Sequence, residues 1–463
     1  MINTIADIAQ KLIAPAKHLA MEGIPIHAYV TDLTWLLFLK IANLLGEVNH
    51  VPAHLNWNML IHKRGKEQYE YYQKIIKELG QHRDPYIAGL YAHASTAFKN
   101  SEQLTLVITT LAAVDVLPID DLGEVYETLL EKCTFEDDNR LCIAPRSLVD
   151  LIVILIQPQL GELIQDPLAG TASFVIAADE YIQVMSDELL DISSTQKNSP
   201  PNIIAVEPDL VRQRLALMNC LLHHIDHSQH LPVRWGDSLL SNLQAWPQAD
   251  VIFSMLVFAN TPTDELGNYD ASLALLQHIY QTLKPGGRAA VVLPDKVLKA
   301  VGPAQQIRST LLDTCVVQTI LRLPYGIFYP HKVLAHLLFF KKGQTPDEKT
   351  ETVWFYDLRT DKPIFGPYLH LTREYLKPFE MVYGDDPNGQ SKRYDEGEEG
   401  RWRCFSRETL AKQNDKLDLC WLRDSNHGIN DNLVTGNIWE VLNKTVGDLE
   451  DLTDILMVNG DNG

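Results

Sequence analysis

The sequence has no Cys-x-x-Cys pair. Cys133, Cys142, Cys220, Cys315, Cys404 and Cys420 are scattered singly, which suits free thiols in a reducing compartment and argues against a zinc ribbon or a disulfide framework. Long apolar runs are missing too. The greasiest stretches, Trp35–Leu39 and Leu151–Ile156, fall far short of the ~20 residues needed to cross a bilayer. The first twenty residues are broken by Asp7, Gln10 and Lys11, where a signal peptide would be continuously apolar. A cytoplasmic protein that avoids membranes is the expectation. Positive charge is also scarce: Lys plus Arg number 40 against 60 Asp plus Glu, a formal charge of −20. Such a field repels polyanions, so contact with nucleic acid requires a local basic patch or a basic partner.

What is present suits a globular chain of more than one domain. Hydrophobic residues make up 46% of 463, enough for a sizeable core. Residues 1–140 read as a helical domain. Thr31 and Asp32 open a run through Ile41 whose apolar content exceeds one stripe, marking the centre of a bundle. Asp121–Leu130 is a second amphipathic helix. From 141 to 383 the pattern alternates short apolar strands with amphipathic helices, the signature of a parallel sheet with crossover helices. Strands are expected at Leu163–Gln165, Ile203–Val206, Val251–Phe253, Ala289–Leu293, Val316–Leu321 and Leu334–Phe340, with a helix at Val211–Ile225. Residues 384–463 form an extension. It starts with a loop at Gly384–Gly400, whose acidic excess reads as solvated and mobile. It ends in a helix near Asn437–Leu456 whose apolar stripe is either docked at home or offered to a partner.

Three pieces carry chemistry. Asp166-Pro167-Leu168-Ala169-Gly170-Thr171-Ala172-Ser173-Phe174 follows the first strand and opens a helix. Its small residues allow close backbone approach to a ligand, with helix-start N–H groups facing it. Glu207 ends the second strand, where an acid can accept both hydroxyls of a ribose. Asp237 follows in Gly236-Asp237-Ser238-Leu239, in reach of an adenine amino group. Singly each is weak, since a Gly-Thr turn is usually only a turn; their order on successive strand ends is specific.

That order resembles a class I S-adenosylmethionine-dependent methyltransferase. More closely, it resembles the modification subunit of type I restriction–modification systems, an adenine-N6 DNA methyltransferase family. The likeness runs through most of the chain. It takes in Leu33–Lys40, Asp121–Glu127, Leu283–Pro294, Ile320–Phe328, Leu337–Phe340, Trp402–Ser406 and Asn414–Asp418. The resemblance implies an α/β fold with a Rossmann-like seven-stranded sheet, an N-terminal all-helical domain and a C-terminal helical extension. It further implies S-adenosylmethionine held between Asp166, Gly170, Thr171, Phe174, Glu207 and Asp237. The implied partners are DNA, reached through a specificity subunit, and a restriction subunit or other subunits of a defence complex.

Departures from the family pattern matter as much. In the family's D-P-A-C-G-T-G-G-F loop, Ala172 and Ser173 stand where the last two glycines belong, and each adds a Cβ where backbone and cofactor should pass closely. Upstream, Cys142-Ile143-Ala144-Pro145-Arg146 lacks the family's aromatic ring and hydroxyl. At the catalytic bend the family's N-P-P-F reads Met255-Leu256-Val257-Phe258. There the family's Asn side chain and the following Pro carbonyl accept hydrogen bonds from the target adenine's amino group. Met255 offers only a weak sulfur acceptor, and without the prolines nothing in the sequence aims the Leu256 carbonyl. Losing one preorganised polar contact costs ~10²–10³ in rate. Phe258 can still stack a flipped base. Two readings follow: a catalytically impaired subunit that clamps DNA as a scaffold, with cofactor binding weakened or lost, and an active adenine-N6 methyltransferase that tolerates the change.

Other features read blandly. His223, His224, His227 and His230 lie near a helix end, but only Asp226 could complete a metal set, so no metal is expected. Tyr69, Tyr71 and Tyr72 suit a half-buried helix face better than a nucleic-acid surface. Lys284-Pro285-Gly286-Gly287 is a helix-stop turn rather than a phosphate loop. Ser238 and Ser254 lack the His/Asp partners of a nucleophile.

Overall fold

A Thr-x-x-Asp box opens the first helix: the Thr4 hydroxyl accepts from the Asp7 backbone N–H, and the Asp7 carboxylate accepts from that of Thr4. The helices that follow it are α1 (Ile5–Met21), α2 (Ile26–Leu45), α3 (Trp57–His62), α4 (Gly65–Leu79), α5 (Pro85–Leu90), α6 (Ser101–Ala113) and α7 (Leu122–Glu136). As its composition predicts, α2 runs through the middle, burying Tyr29, Val30, Leu33, Trp35, Leu36 and Phe38. It also buries a carboxylate. Asp32 accepts from the Tyr72 hydroxyl at 2.7 Å and from the Ala97 N–H at 2.8 Å, so both carboxylate oxygens are hydrogen-bonded. Burial still lifts its pKa to about 6.

The computed structural model describes residues 4–45, 51–114, 121–136, 143–188, 202–225, 231–240, 246–259, 270–331 and 333–422. The terminal helix expected near Asn437–Leu456 lies outside them, as do Cys142, His227 and His230. Among the described residues no helix is long and apolar enough to cross a membrane.

After α8 (Arg146–Ile156) the chain builds one sheet from β1 (Leu163–Asp166), β2 (Asn202–Glu207), β3 (Val233–Trp235), β4 (Ala249–Met255), β5 (Leu283–Pro294), β6 (Cys315–Arg322), β7 (Ala335–Lys342), β8 (Thr352–Asp357) and β9 (Trp402–Ser406). Their spatial order is β3-β2-β1-β4-β5-β7-β6-β8-β9. The first seven in that order are the seven-stranded sheet the sequence leads one to expect, and β8 and β9 extend it at the β6 edge. From β3 to β5 the pairs are parallel, and β7 runs antiparallel to both β5 and β6. The intervening helices are α9 (Ser173–Glu188), α10 (Leu210–Leu222), α11 (Asp270–Thr282), α12 (Asp295–Lys299), α13 (Pro303–Thr314), α14 (Arg373–Tyr383) and α15 (Arg407–Lys412). Both faces of the sheet are covered. One side packs α8, α9 and α14, and the other packs α11, α12 and α13.

One helix belongs to both regions. On α10, Leu215, Leu217, Met218 and Leu222 join the core of the N-terminal helices. Ala216 and Cys220 pack instead with Ala172, Val175, Ile176 and Val233 of the α/β region. Arg214 reinforces the first contact. Its guanidinium lies 4.7 Å from the Trp35 ring centre and donates to the Leu90 and Ala92 carbonyls at 2.9 and 2.7 Å.

Two acids of residues 384–400 have specific work. Asp395 accepts from the Cys404 N–H, and Glu396 accepts from the Arg401 and Trp402 N–H groups. They cap β9 where composition alone reads as solvated charge. Lys284-Pro285-Gly286-Gly287 lies within the first residues of β5, where the pairing with β4 shifts register between Leu283 and Arg288. Gly286 is left-handed there, and a Cβ on Gly287 would sit 2.8 Å from the Ala249 carbonyl oxygen.

Candidate functional site

The C-terminal ends of β1, β2 and β4 converge on one small cavity, where an open α/β sheet usually presents its ligand site. It measures about 30 Å³, and its lining includes Asp166, Gly170, Thr171, Phe174, Glu207 and Met255. The structure thus gathers five of the six expected cofactor residues with the first position of the bend. Asp237, the sixth, does not line it; its carboxylate accepts from the Leu239 N–H at 2.8 Å.

Asp166 ends β1 and is 2% exposed. Its Oδ1 accepts from the Leu168 N–H at 3.0 Å and the Ser254 hydroxyl at 3.1 Å, while Oδ2 finds no partner among the described residues. Burial, with Glu207 as a like-charged neighbour, pushes its pKa up to about 7. The loop then turns through two left-handed residues, Gly170 at φ +58° and Ala172 at φ +70°. For glycine this is routine, whereas alanine pays a steric cost. Of the two substituted glycine positions only Ala172 is strained; Ser173 starts α9 in ordinary helical geometry. Thr171 is pinned by its carbonyl, which accepts from the Asn219 side chain at 3.0 Å. The Phe174 ring stacks on Phe253, centroids 5.4 Å apart and planes within 9°.

Glu207 is fully buried. Its Oε2 accepts from the Gly170 N–H at 2.8 Å, and its Oε1 accepts from the Asp209 N–H at 3.0 Å and from Arg212 Nε at 2.8 Å. A second guanidinium nitrogen of Arg212 is also 2.8 Å from Oε1. Local sequence explains the arrangement. Pro208 stops β2 and Asp209 caps α10, accepting from the Arg212 N–H at 2.8 Å. One helical turn on, the Arg212 side chain reaches back to the acid. Sequence reasoning missed Arg212; its signal was an arginine one turn into the helix that follows the ribose-type acid.

The bend after β4 is built differently. Met255 pairs with Val292 in the sheet and is 7% exposed. Leu256–Phe258 forms a single 3₁₀ turn. Leu256 is fully buried, and its carbonyl accepts from the Ser272 hydroxyl of α11 at 2.8 Å and from the Ala259 N–H at 3.3 Å. Val257 is 7% exposed and belongs to the same core cluster as Met255. The side chain of Phe258 lies outside the described residues. Ser272 carries no sequence signal, since nothing marks a serine on a later helix as a partner for this carbonyl.

Beside the cavity, Arg146 at the start of α8 joins the helical and α/β regions. It pairs with Glu127 of α7 at 2.8 Å, with Asp150 at 2.7 Å and with Glu180 of α9. His223 Nδ1 lies 3.1 Å from Glu180, which engages that histidine in the same network. A larger cavity of about 350 Å³ opens next to it, bordered by Ile143–Ser147 and by Phe365, Leu369 and Arg373.

Against S-adenosylmethionine these residues give a divided answer. The unpartnered Asp166 Oδ2 and the open space around Gly170 suit the amino-acid end. The ribose end fits poorly: Glu207 Oε1 already accepts from the Asp209 N–H and the Arg212 guanidinium, and Oε2 accepts from the Gly170 N–H, which leaves the acid little capacity for two hydroxyls.

Residues 118–418 match the family model for N-6 DNA methylases. The chain is 35% identical to the EcoKI methylase subunit of Escherichia coli K12 over 468 residues, covering 90% of this chain and 88% of that one. It is equally similar, with the same coverage, to the StySPI methylase subunit of Salmonella potsdam. The crystal structure of the EcoKI M protein superposes with a TM-score of 0.57 at 32% identity, covering 97% of this chain and 96% of the other. With a nucleotide-type acid on β2, a small-residue loop after β1 and this likeness along the whole length, the chain belongs to the N-6 DNA methylases, among the methylase subunits of type I restriction enzymes.

Proposed function

We propose that this chain is a DNA-modification-type subunit whose own adenine-N6 methylation is severely impaired, and that it serves as a DNA-clamping scaffold in a type I restriction-like defence complex. The observation that carries this reading is the Leu256 carbonyl. Family chemistry needs an acceptor at this place facing the target base. Here the carbonyl is fully buried and accepts from Ser272 and Ala259, while Met255 supplies a thioether in place of an amide. Neither group is arranged to grip an exocyclic amine. Loss of one such preorganised contact lowers rates by ~10²–10³, and here two are missing.

The formal charge of −20 supports a subunit that reaches DNA with help. A specificity subunit supplying basic surface and base contacts fits that need, with a restriction subunit as the further partner. The test is direct. The chain, purified with its specificity subunit, is incubated with labelled S-adenosylmethionine and DNA carrying the target. The expected result is no label on adenine above background, with DNA binding by the complex retained. Robust labelling overturns the scaffold reading and establishes the active one.

A further inference from the structure

We infer that Arg212 is an internal plug of the cofactor site: its guanidinium holds the ribose-type acid Glu207 in an ion pair and thereby sets the chain's affinity for adenosyl cofactors. The inference rests on the proposed function and deepens it from the reacting bend to the cofactor pocket. A ribose diol would bring two neutral O–H donors to Glu207. In their place stand two charged N–H donors, both at 2.8 Å from Oε1, with the Asp209 N–H on the same oxygen and the Gly170 N–H on the other. Both kinds of bond have an ionised acceptor, but only the guanidinium also brings the opposite charge, so a neutral diol must displace it against the attraction of a buried ion pair.

Burial makes the competition harsher. Glu207 is fully buried and Arg212 is 8% exposed. Separating them would strand one charge in a low-dielectric setting. The plug is also held from behind, because Asp209 caps the helix through the Arg212 N–H and fixes the residue's backbone. Glu207 and Arg212 both line this cavity of about 30 Å³. Arg212 is thus a positioning residue whose effect on any adenosyl ligand passes through Glu207.

Calorimetry on the full chain tests this with S-adenosylmethionine, S-adenosylhomocysteine and the 2′-deoxyribose analogue of the latter. The unmodified chain should bind the two ribose compounds weakly or not at all, without preferring ribose over deoxyribose. Arg212→Thr should gain about tenfold to a hundredfold in affinity for S-adenosylhomocysteine, the value of two recovered hydrogen bonds. It should also acquire a preference for ribose over deoxyribose, which a merely structural role of Arg212 would not produce. Arg212→Gln keeps one donor on Glu207, and it is the variant to read if the threonine change prevents folding, with a smaller gain in the same direction. Two results overturn the plug: an unmodified chain that already prefers ribose tenfold, or a folded variant with no gain. Methyl transfer by the unmodified complex would instead refute the proposed function, so the two ideas fail on different readouts.

Discussion

The ends of β1 and β2 and the bend after β4 meet at the same cavity, yet they have diverged in opposite ways. The first keeps its polar groups. Asp166, Gly170, Thr171 and Glu207 are in place, and the change there lies in what they bind: Arg212 takes Glu207. The second has exchanged polar groups for core. Met255, Leu256 and Val257 are buried aliphatic or thioether side chains, and the backbone carbonyl between them turns toward Ser272. The difference teaches that two walls of one cavity can carry different kinds of contact, polar at one and apolar at the other, on the same continuous sheet.

The largest expected effect comes from repairing both walls at once. Met255→Asn with Leu256→Pro and Val257→Pro alone should raise adenine labelling little, because the cofactor wall remains closed. Adding Arg212→Thr should raise it by ~10² or more, read as labelled methyl on DNA adenine. A full gain from the triple change alone would break the comparison, leaving the bend as the sole defect. Next comes acidity. The Asp166 carboxyl is held near pKa 7 against an ordinary 3.8, so the folded state binds this proton more tightly than the unfolded one. Its contribution is complete below about pH 3.8 and is lost as the pH rises through about 7, on the order of 4 kcal/mol. Asp166→Asn should flatten that part of the stability–pH curve measured by denaturant unfolding. Asp32, with a pKa near 6, adds a slope of the same sign that this substitution leaves in place.

Smaller effects sharpen the contrast. Ser272→Ala removes the donor that holds the Leu256 carbonyl inward and should lower stability by about 1 kcal/mol in thermal unfolding. Ala172→Gly relieves a left-handed alanine and should stabilise the chain by up to about 1 kcal/mol, after the extra freedom of glycine in the unfolded chain is counted. An unchanged or lower melting temperature would mean that the alanine methyl's packing in the core outweighs its backbone strain.

Much of this architecture was readable before any coordinates. Leu163–Gln165, Ile203–Val206 and Val251–Phe253 all fall inside observed strands, because continuous apolar runs between turn signals have few alternatives in a sheet covered on both faces. The short β3 escaped, since three residues of which two are exposed carry no periodicity. The edge strands β8 and β9 also escaped, although Thr352–Asp357 is rich in β-branched and aromatic residues; attention to that composition would have found β8. In the site, the order of Asp166, Gly170 and Glu207 was visible because strand ends place such residues at fixed intervals. Ser272 was not, because it meets its partner through a side chain that no periodic pattern specifies, and Arg212 was marked only by its place one turn into the helix after Glu207.

The helix α10 carries a lesson for dissecting this protein. Its first turn presents Arg212 to Glu207, and farther along Leu215, Leu217, Met218 and Leu222 are anchored among the N-terminal helices. A cut near residue 140 would therefore strip the cover from the very helix that bears the plug. Any fragment lacking the N-terminal helices reports on a different pocket from the one the whole chain possesses.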